Sequence, residues 1–206
     1  MQTAIENVEA PTDSTGLPLV LRLRPVIELS DDQLLALCEI NHELWIERNA
    51  QGELLLMPPA GFETSGENAQ LTAQLVTWAN RDGTGIATDC SGGFRLPNGA
   101  MRAPDAACIS HARLASIPSE ERKKLLPLCP DFVVELRSPS DTLRDLQAKL
   151  EEWIANGAQL GWLLDPRPRQ LYVYRAGARV LRLDNPVTVS GDLLLPGFVL
   201  DLQQVC

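Results

Sequence analysis

The sequence predicts an α/β domain in which a mixed sheet is flanked by helices. Two long segments carry apolar residues at helical spacing, and runs with strand character lie before, between and after them. No internal repeat or low-complexity linker divides the chain. Because residues 1–18 are polar and contain Pro, Ser and Gly, we expect a flexible N-terminal arm there and a single domain over residues 19–206.

The first half of the domain predicts a short helix, a hairpin and a long helix. Ser30 and Gln33 form the pattern of a capping box at the start of the short helix. "LWIER" and "ELLLMP" flank a turn that contains Gly52 and predict a hairpin. "SGENAQLTAQLVTWANRDG" predicts the long helix, which ends before Gly83. Its apolar residues recur at helical spacing: Leu71, Leu75, Trp78 and Ala79.

The second half predicts most of the sheet. "GIATDCSGGFRL" and "MRAPDAACIS" predict two consecutive strands, and residues 119–126 a short charged helix. "DFVVEL" predicts a strand that is followed by the second long helix, "SPSDTLRDLQAKLEEWIANG". "LGWLLDP" is apolar almost throughout, which is typical of a central strand covered on both faces. "QLYVYR" and "ARVLRL" predict another hairpin, and "LLLPGFVLDL" closes the chain.

Charge and cysteine content exclude several classes of protein. The net charge of −9 and pI of about 4.7 argue against tight nonspecific nucleic-acid binding, although a local basic groove remains compatible with them. Five cysteines without a CxxC pair, and the lack of a secretory signal, favour a reduced, cytoplasmic protein. Two distant histidines disfavour a zinc site, and no apolar run is long enough for a membrane span.

Two carboxylates stand inside apolar strand segments. Asp105 lies in "RAPDAACIS", where alternation places it on the face of Ala107, and Pro104 requires the strand to start, bulge or lie at an edge there. Glu135 interrupts "DFVVEL". Because a buried carboxylate without a partner is costly, Glu135 either faces water or meets a cation inside the protein.

Lys149 is the cation that the sequence offers. It lies about 90° from the centre of the apolar stripe of the second long helix, and its stem can carry the amine towards the sheet. Two carboxylates suit Mg²⁺ or Mn²⁺, which would activate water beside a phosphoryl group while the lysine orients that water. The alternatives are that Asp105 caps a strand end, Glu135 faces solvent and Lys149 pairs with Asp145.

The segments "APDAACIS" and "DFVVELRSPSDTLRDLQAKLEEWIANGAQLGWLLDP" resemble the Uma-two family of "putative restriction endonucleases". This family is part of the PD-(D/E)xK nuclease superfamily and is abundant in cyanobacteria. The likeness extends to "IERNAQGELLLMPPAG", "SGENAQL" and "GGFRLPNGAMRAPD", and so covers about residues 30–200. It implies a restriction-endonuclease-like fold with a mixed central sheet flanked by helices. A second PD pair, at Asp131, is set aside because it lies on the same strand as Glu135.

The resemblance assigns roles to individual residues. Asp105 and Glu135 would be the acidic pair that holds the metal, with the backbone carbonyl of Leu136 as a further ligand. The superfamily's lysine usually follows the second acid by two positions. Arg137 stands there in this chain, so the resemblance selects Lys149, one helix later, as the third catalytic residue.

Further candidates lie beside these residues. Glu67, on the first long helix, matches an additional metal-binding acid of the superfamily, although it could equally be a favourable charge near a helix N-terminus. Asn68 stands where many relatives carry histidine, and we take it and Arg137 as candidates for substrate binding. Other arginines near the proposed site could contact phosphates or be solvated surface charges: Arg95, Arg102 and Arg144.

The resemblance implies a Mg²⁺- or Mn²⁺-dependent endonuclease that hydrolyses DNA phosphodiester bonds and acts as a homodimer. Two alternatives remain open at this point. The acidic pI favours a catalytically inactive nuclease-fold module for binding or assembly, and an acidic protein could also hydrolyse small phosphoesters.

Overall fold

The computed structural model of the chain describes residues 19–57 and 59–205, and these form a mixed α/β fold. The predicted arm, residues 1–18, lies outside the described residues. The helices, in chain order, are α1 (Asp31–Ile40), α2 (Phe62–Asp82), α3 (His111–Ala115) and α4 (Leu143–Ala155). Within residues 19–57 and 59–205, none of these helices has the length and apolarity needed to cross a bilayer.

The central sheet has six strands. They are β4 (Gly85–Asp89), β7 (Ala106–Ser110), β8 (Phe132–Leu136), β9 (Leu160–Asp165), β10 (Gln170–Arg175) and β11 (Leu181–Asp184). Their order across the sheet is β11-β10-β9-β8-β7-β4, and only the β8–β9 pair is parallel. Because parallel neighbours need a crossover, α4 connects these two strands.

A second sheet lies in the N-terminal half of the fold. Its strands are β1 (Leu19–Leu21), β2 (Trp45–Arg48), β3 (Leu54–Met57), β5 (Phe94–Arg95) and β6 (Met101–Arg102). They are antiparallel, in the order β1-β3-β2-β6-β5. A two-stranded sheet, β12 (Thr188–Ser190) with β13 (Val199–Asp201), completes the described chain.

The core lies on both faces of the central sheet. Leu71 and Leu75 of α2 are fully buried in the same cluster as Phe132 of β8. Leu150 and Trp153 of α4 are buried in the cluster that covers the opposite face. Since successive strand residues point to opposite faces, Glu135 points to the α4 side of β8. The fold therefore brings a carboxylate of the sheet under the helix that carries the candidate lysine.

Several predicted elements are confirmed. The capping box at Ser30 begins α1, and Gly52, with φ of 84°, lies in the turn between β2 and β3. Gly83 ends α2 in the left-handed conformation that favours glycine. Strand β9 is buried at every position, as a central strand should be.

The prediction of two consecutive strands over residues 85–96 and 101–110 was wrong. Each segment is divided between the two larger sheets: β4 and β7 belong to the central sheet, whereas β5 and β6 belong to the second. Pro104 gives the physical reason in the later segment, because it has no N–H with which to continue the ladder. The predicted helix at 119–126 is reduced to a 3₁₀ turn over Glu121–Lys123.

Candidate active site

Asp105 and Glu135 meet at one end of the β7–β8 ladder. The antiparallel register pairs Ala106 with Val134, and its continuation by one residue sets Asp105 beside Glu135. Asp105 lies in the bend just before β7, not within the strand. Its Oδ2 accepts a hydrogen bond from the Leu136 N–H at 2.7 Å. This contact explains how the chain holds the carboxylate at the strand end.

Two side chains of α4 donate to Glu135. Lys149 Nζ lies 3.1 Å from Oε2, and Trp153 Nε1 lies 2.7 Å from Oε1. The two donors are four positions apart and so share one face of the helix. Glu135 is 2% exposed, which excludes the alternative that it faces solvent. Over the described residues, the ion pairs of Lys149 are with Glu47 and Glu135. Asp145 instead accepts a hydrogen bond from the Thr142 hydroxyl.

Glu47 is a third acid at this site, which the sequence analysis missed. It is 4% exposed, and its Oε1 lies 3.1 Å from Lys149 Nζ. The same oxygen accepts from the Ala103 N–H, while Oε2 accepts from Arg102 Nη1 at 2.9 Å. Arg102 also pairs with Glu152 of α4 at 2.7 Å. Glu47 reaches the site from β2, a strand of the predicted hairpin, because β2 pairs with β6, which the sequence did not predict.

Burial dominates the electrostatics of the two predicted acids. It raises the pKa of Glu135 to about 8, because the stabilising charge of Lys149 does not offset the loss of water and the repulsion from Asp105 and Glu47. Burial also raises the pKa of Asp105, and the Leu136 N–H and Lys149 only partly oppose it. Both carboxyls are therefore held less acidic than usual.

The charged forms of Glu47 and Lys149 are stabilised by their ion-pair partners. Burial raises the pKa of Glu47, but Lys149 and Arg102 outweigh it and leave the pKa below the usual value. Burial lowers the pKa of Lys149, but Glu135 and Glu47 outweigh it and leave that pKa above the usual value. Lys149 is thus an ammonium at neutral pH, held between two glutamates.

The donors at the site fit a hard divalent cation. Asn68 Nδ2 donates to Asp105 Oδ1 at 3.0 Å, which leaves Asn68 Oδ1 buried without a hydrogen-bond partner. A buried acceptor without a donor is uncommon, and a cation or its bound water would satisfy it. Over residues 19–57 and 59–205, no three His, Cys, Asp or Glu side chains gather as a metal-binding group. The oxygens available come from Asp105, Glu135, Asn68 and the Leu136 carbonyl, a set suited to an ion that keeps several waters.

Glu67 and Arg137 are two predicted site residues for which the described contacts show no link to the acidic pair. Glu67 is half-buried, and burial and the charge of Glu63 raise its pKa; among the described residues it shares no hydrogen bond or ion pair with Asp105 or Glu135. Arg137 donates to Asp165 Oδ2 at 2.8 Å. Metal binding by Glu67 and substrate binding by Arg137 therefore stay predictions.

Two of the flanking arginines have protein partners. Arg102 is 12% exposed and paired with two glutamates, so it is not a solvated surface charge. Arg95 is half-exposed, and its Nε lies 3.4 Å from Asp31 Oδ2. Arg95 and Arg102 are thus each paired with carboxylates of the same chain, whereas Arg144 is exposed.

The acid of the second PD pair, Asp131, has a structural environment. It accepts hydrogen bonds from the Ser110 N–H at 2.8 Å, from Arg113 at 2.8 Å and from Gln159 at 2.9 Å. Burial raises the pKa of Asp131, but these donors outweigh it and the pKa lies below the usual value. Its position supports setting this pair aside.

A mixed sheet between helices, with two acids at the ends of neighbouring strands and a lysine on the helix packed over them, defines a protein of restriction-endonuclease-like fold. The chain belongs to the Uma2 family, whose description is "putative restriction endonuclease" and whose model matches residues 31–203. A comparison with curated proteins finds no match.

The fold is also similar to a solved structure. This is the crystal structure of "a putative nuclease belonging to DUF820" from Anabaena variabilis, with a TM-score of 0.72 and 17% sequence identity. The likeness covers 86% of this chain and 97% of that one. At this identity the match supports the restriction-endonuclease-like fold.

Proposed function

We propose that the protein is a metal-dependent endonuclease that hydrolyses phosphodiester bonds of DNA. The observation that carries the proposal is the convergence of Asp105, Glu135 and Lys149 around the buried Glu135 carboxyl. They come from the bend before β7, from β8 and from α4. Membership of the Uma2 family and the similarity to a nuclease fold support the same class of reaction.

Asp105, Glu135 and the Leu136 carbonyl are the groups we assign to a Mg²⁺ or Mn²⁺ ion. Such an ion, when bound, polarises a phosphoryl oxygen and makes a bound water more acidic. Because carboxylate ligands must be deprotonated, Glu135, whose pKa is raised to about 8, would release its proton to solvent for an ion to bind at neutral pH. The buried Oδ1 of Asn68 adds a polar contact beside Asp105 for the ion's water.

Lys149 is the group we assign to the attacking water. An ammonium has three N–H donors, and those of Lys149 face three protein acceptors: Ala103 O at 3.0 Å, Glu135 at 3.1 Å and Glu47 at 3.1 Å. Lys149 can therefore donate to a water only after it releases one of them. Glu135 is the acceptor that also belongs to the acidic pair, so its release connects ion binding with orientation of the water.

A cleavage assay tests the function. Purified protein is incubated with supercoiled, linear and single-stranded DNA in Mg²⁺, Mn²⁺ or EDTA. We expect cleavage only with a divalent ion and none from Glu135→Ala. Asp145→Ala is the matched control, because Asp145 lies one turn before Lys149 and contacts Thr142 instead. Equal cleavage by wild type and Glu135→Ala would remove Glu135 from the reaction.

The net charge of −9 favours a second candidate, a hydrolase of small phosphoesters, which needs less basic surface than a DNA-binding protein. Comparison of oligonucleotides with mononucleotide esters at equal metal concentration separates the two. Inertness on every substrate, together with no heat of Mn²⁺ binding in calorimetry, would instead indicate a non-catalytic module.

The homodimer implied by the family resemblance forms part of the proposal, because cleavage of two strands commonly uses two copies of one site. Light scattering during size-exclusion chromatography measures the mass directly. A dimer would show about twice the chain mass of 22.6 kDa. A strictly monomeric protein that still cuts both strands would remove the dimer from the proposal.

A further inference from the structure

Glu47 lacks a role in the proposed reaction, yet it is one of the most buried charged groups of the fold. It reaches the candidate site from β2 and contacts Lys149, Arg102 and the Ala103 N–H. A buried ion pair is weak evidence for stability, because desolvation of both charges offsets their attraction. The burial of Glu47 therefore calls for a reason other than holding the two sheets together.

The surroundings of Glu47 fix its carboxylate in one orientation. Arg102 holds Oε2 at 2.9 Å, and the Ala103 N–H holds Oε1 at 3.0 Å. Arg102 is itself anchored to α4 through Glu152. Oε1 of Glu47 is thus presented to Lys149 from a fixed position, on a different element from Glu135.

The two glutamates around Lys149 differ in their other partners. Glu135 belongs to the acidic pair assigned to the metal, whereas over residues 19–57 and 59–205 the other hydrogen bonds of Glu47 are with Arg102 and the Ala103 N–H. Glu47 and the Ala103 carbonyl can therefore keep Lys149 in place while Glu135 changes partners. If Glu135 were the sole acidic contact of Lys149, the ammonium would not be held in place when Glu135 changes partners.

We propose that Glu47 is a positioning residue, which fixes the Lys149 ammonium over the Asp105–Glu135 pair. Its consequence for catalysis rests on the proposed nuclease function. Its effect on the position of Lys149 does not, so the two can be tested separately.

The test compares Glu47→Gln with Glu152→Gln. Each substitution removes one carboxylate from Arg102, but only the first removes a contact of Lys149. Glu47→Asp is the conservative variant that restores the charge. Thermal denaturation of all proteins establishes that each is folded before other measurements are compared.

The first measurement is independent of cleavage. The chain has three lysines, and the side chains of Lys123 and Lys124 are 68% and 54% exposed. The ¹⁵N-edited spectrum of the side-chain ammonium groups should show one signal protected from exchange with water, that of Lys149. We expect this signal to persist in Glu152→Gln and to broaden or disappear in Glu47→Gln.

The second measurement is steady-state cleavage at saturating Mn²⁺. Loss of a partner that orients an active group typically costs about 10–100-fold. We expect kcat of Glu47→Gln to fall by that factor with KM and Mn²⁺ affinity within about 3-fold of wild type, and Glu47→Asp to recover part of the loss.

The outcomes separate the positioning of Lys149 by Glu47 from the proposed nuclease function. A protected Lys149 signal in Glu47→Gln, or an equal fall of kcat in Glu152→Gln, would overturn the inference. If no protein cleaves any substrate, the proposed function fails, but the ammonium spectra still decide whether Glu47 positions Lys149.

Discussion

Two buried carboxylates, Asp131 and Glu135, lie at opposite ends of β8. They differ in their hydrogen-bond donors and in the direction of their pKa shifts. Asp131 precedes the strand and is 5% exposed; Glu135 lies near its end and is 2% exposed. Asp131 has a backbone N–H, an arginine and an amide as donors, and its pKa is lowered. Glu135 forms an ion pair with Lys149, which also pairs with Glu47. It lies beside Asp105, and its pKa is raised.

We take this difference to distinguish a structural acid, Asp131, from the proposed metal ligand, Glu135. The donors around Asp131 satisfy its charge, so the fold gains from keeping it ionised. Around Glu135, Lys149 pairs with both Glu135 and Glu47 and lies near Asp105. Because its one charge does not offset the burial of Glu135 and Asp105, the ionised forms of these two acids are disfavoured. Perturbed carboxyls of the second kind concentrate at functional sites.

The largest expected contrast is in metal affinity. Glu135→Gln removes one of two proposed carboxylate ligands, and we expect the Kd for Mn²⁺ to rise at least about 100-fold, since each 1.4 kcal/mol of lost binding is tenfold. Asp131→Asn should leave the Kd within about 3-fold. Calorimetric titration measures both. A similar loss in the two variants would erase the distinction between the acids.

The free energy of unfolding should respond in the reverse order, with the larger loss for the substitution at Asp131. Asp131→Asn weakens charge-assisted hydrogen bonds, and we expect the free energy of unfolding to fall by about 2 kcal/mol, as is typical of such bonds. In EDTA at pH 7, Glu135→Gln should cost less than about 1 kcal/mol, because the folded protein holds Glu135 largely protonated below its pKa of about 8 and the amide oxygen can still accept from Trp153. Urea denaturation of both variants measures the difference. A larger loss for Glu135→Gln would contradict the assignment.

The pH dependence of stability should have opposite signs at the two acids. Glu135 titrates near 8 in the folded protein and, like other glutamates, near about 4.3 when unfolded, so the folded state holds an extra proton between these values. Its contribution is present below about pH 4.3 and is lost as pH rises towards 8. Asp131, with a lowered pKa, contributes above about pH 3.9, and its contribution is lost as pH falls further.

Urea denaturation in EDTA across pH 3–8 resolves these two slopes. The Glu135→Gln variant should flatten the decline between about pH 5 and 8, and Asp131→Asn the decline at the acidic end. A decline above pH 5 that is equally steep in wild type and Glu135→Gln would show that another group causes it.

The smallest effect is expected at Asp145, which lies outside both acid environments. Its side chain contacts Thr142 at the start of α4. We expect Asp145→Ala to change the free energy of unfolding by less than about 1 kcal/mol, the usual range for a charge near a helix N-terminus, and to leave cleavage unchanged. Loss of cleavage in this variant would restore the alternative in which Lys149 depends on Asp145.

The sequence was sufficient for the part of the site that local patterns encode. The stripe of α4 placed Lys149 at the edge of the buried face, and an acid inside the apolar β8 segment identified Glu135. Pro104 indicated a strand boundary beside Asp105, where the structure places the bend before β7.

The rest of the site depends on long-range pairing. Glu47 reaches Lys149 because β2 pairs with the two-residue strand β6, through Arg48 and Met101. Strands of two residues have no readable alternation, so the pairing of the predicted β2–β3 hairpin with β6, and with it the burial of Glu47, could not be predicted. Trp153 follows Lys149 by one helical turn, but an apolar stripe gives no sign that its N–H bonds an acid.

If Asp105 and Glu135 share one divalent ion, a crystal soaked in Mn²⁺ should contain that ion between their carboxylates. Mn²⁺ gives an anomalous signal that identifies the ion without reference to activity. We expect an anomalous peak bound by carboxylate oxygens of both residues, at about 2.0–2.4 Å, typical of a small divalent ion with oxygen ligands. Peaks confined to acidic residues on the protein surface, with Glu135 still paired to Lys149, would contradict a shared ion.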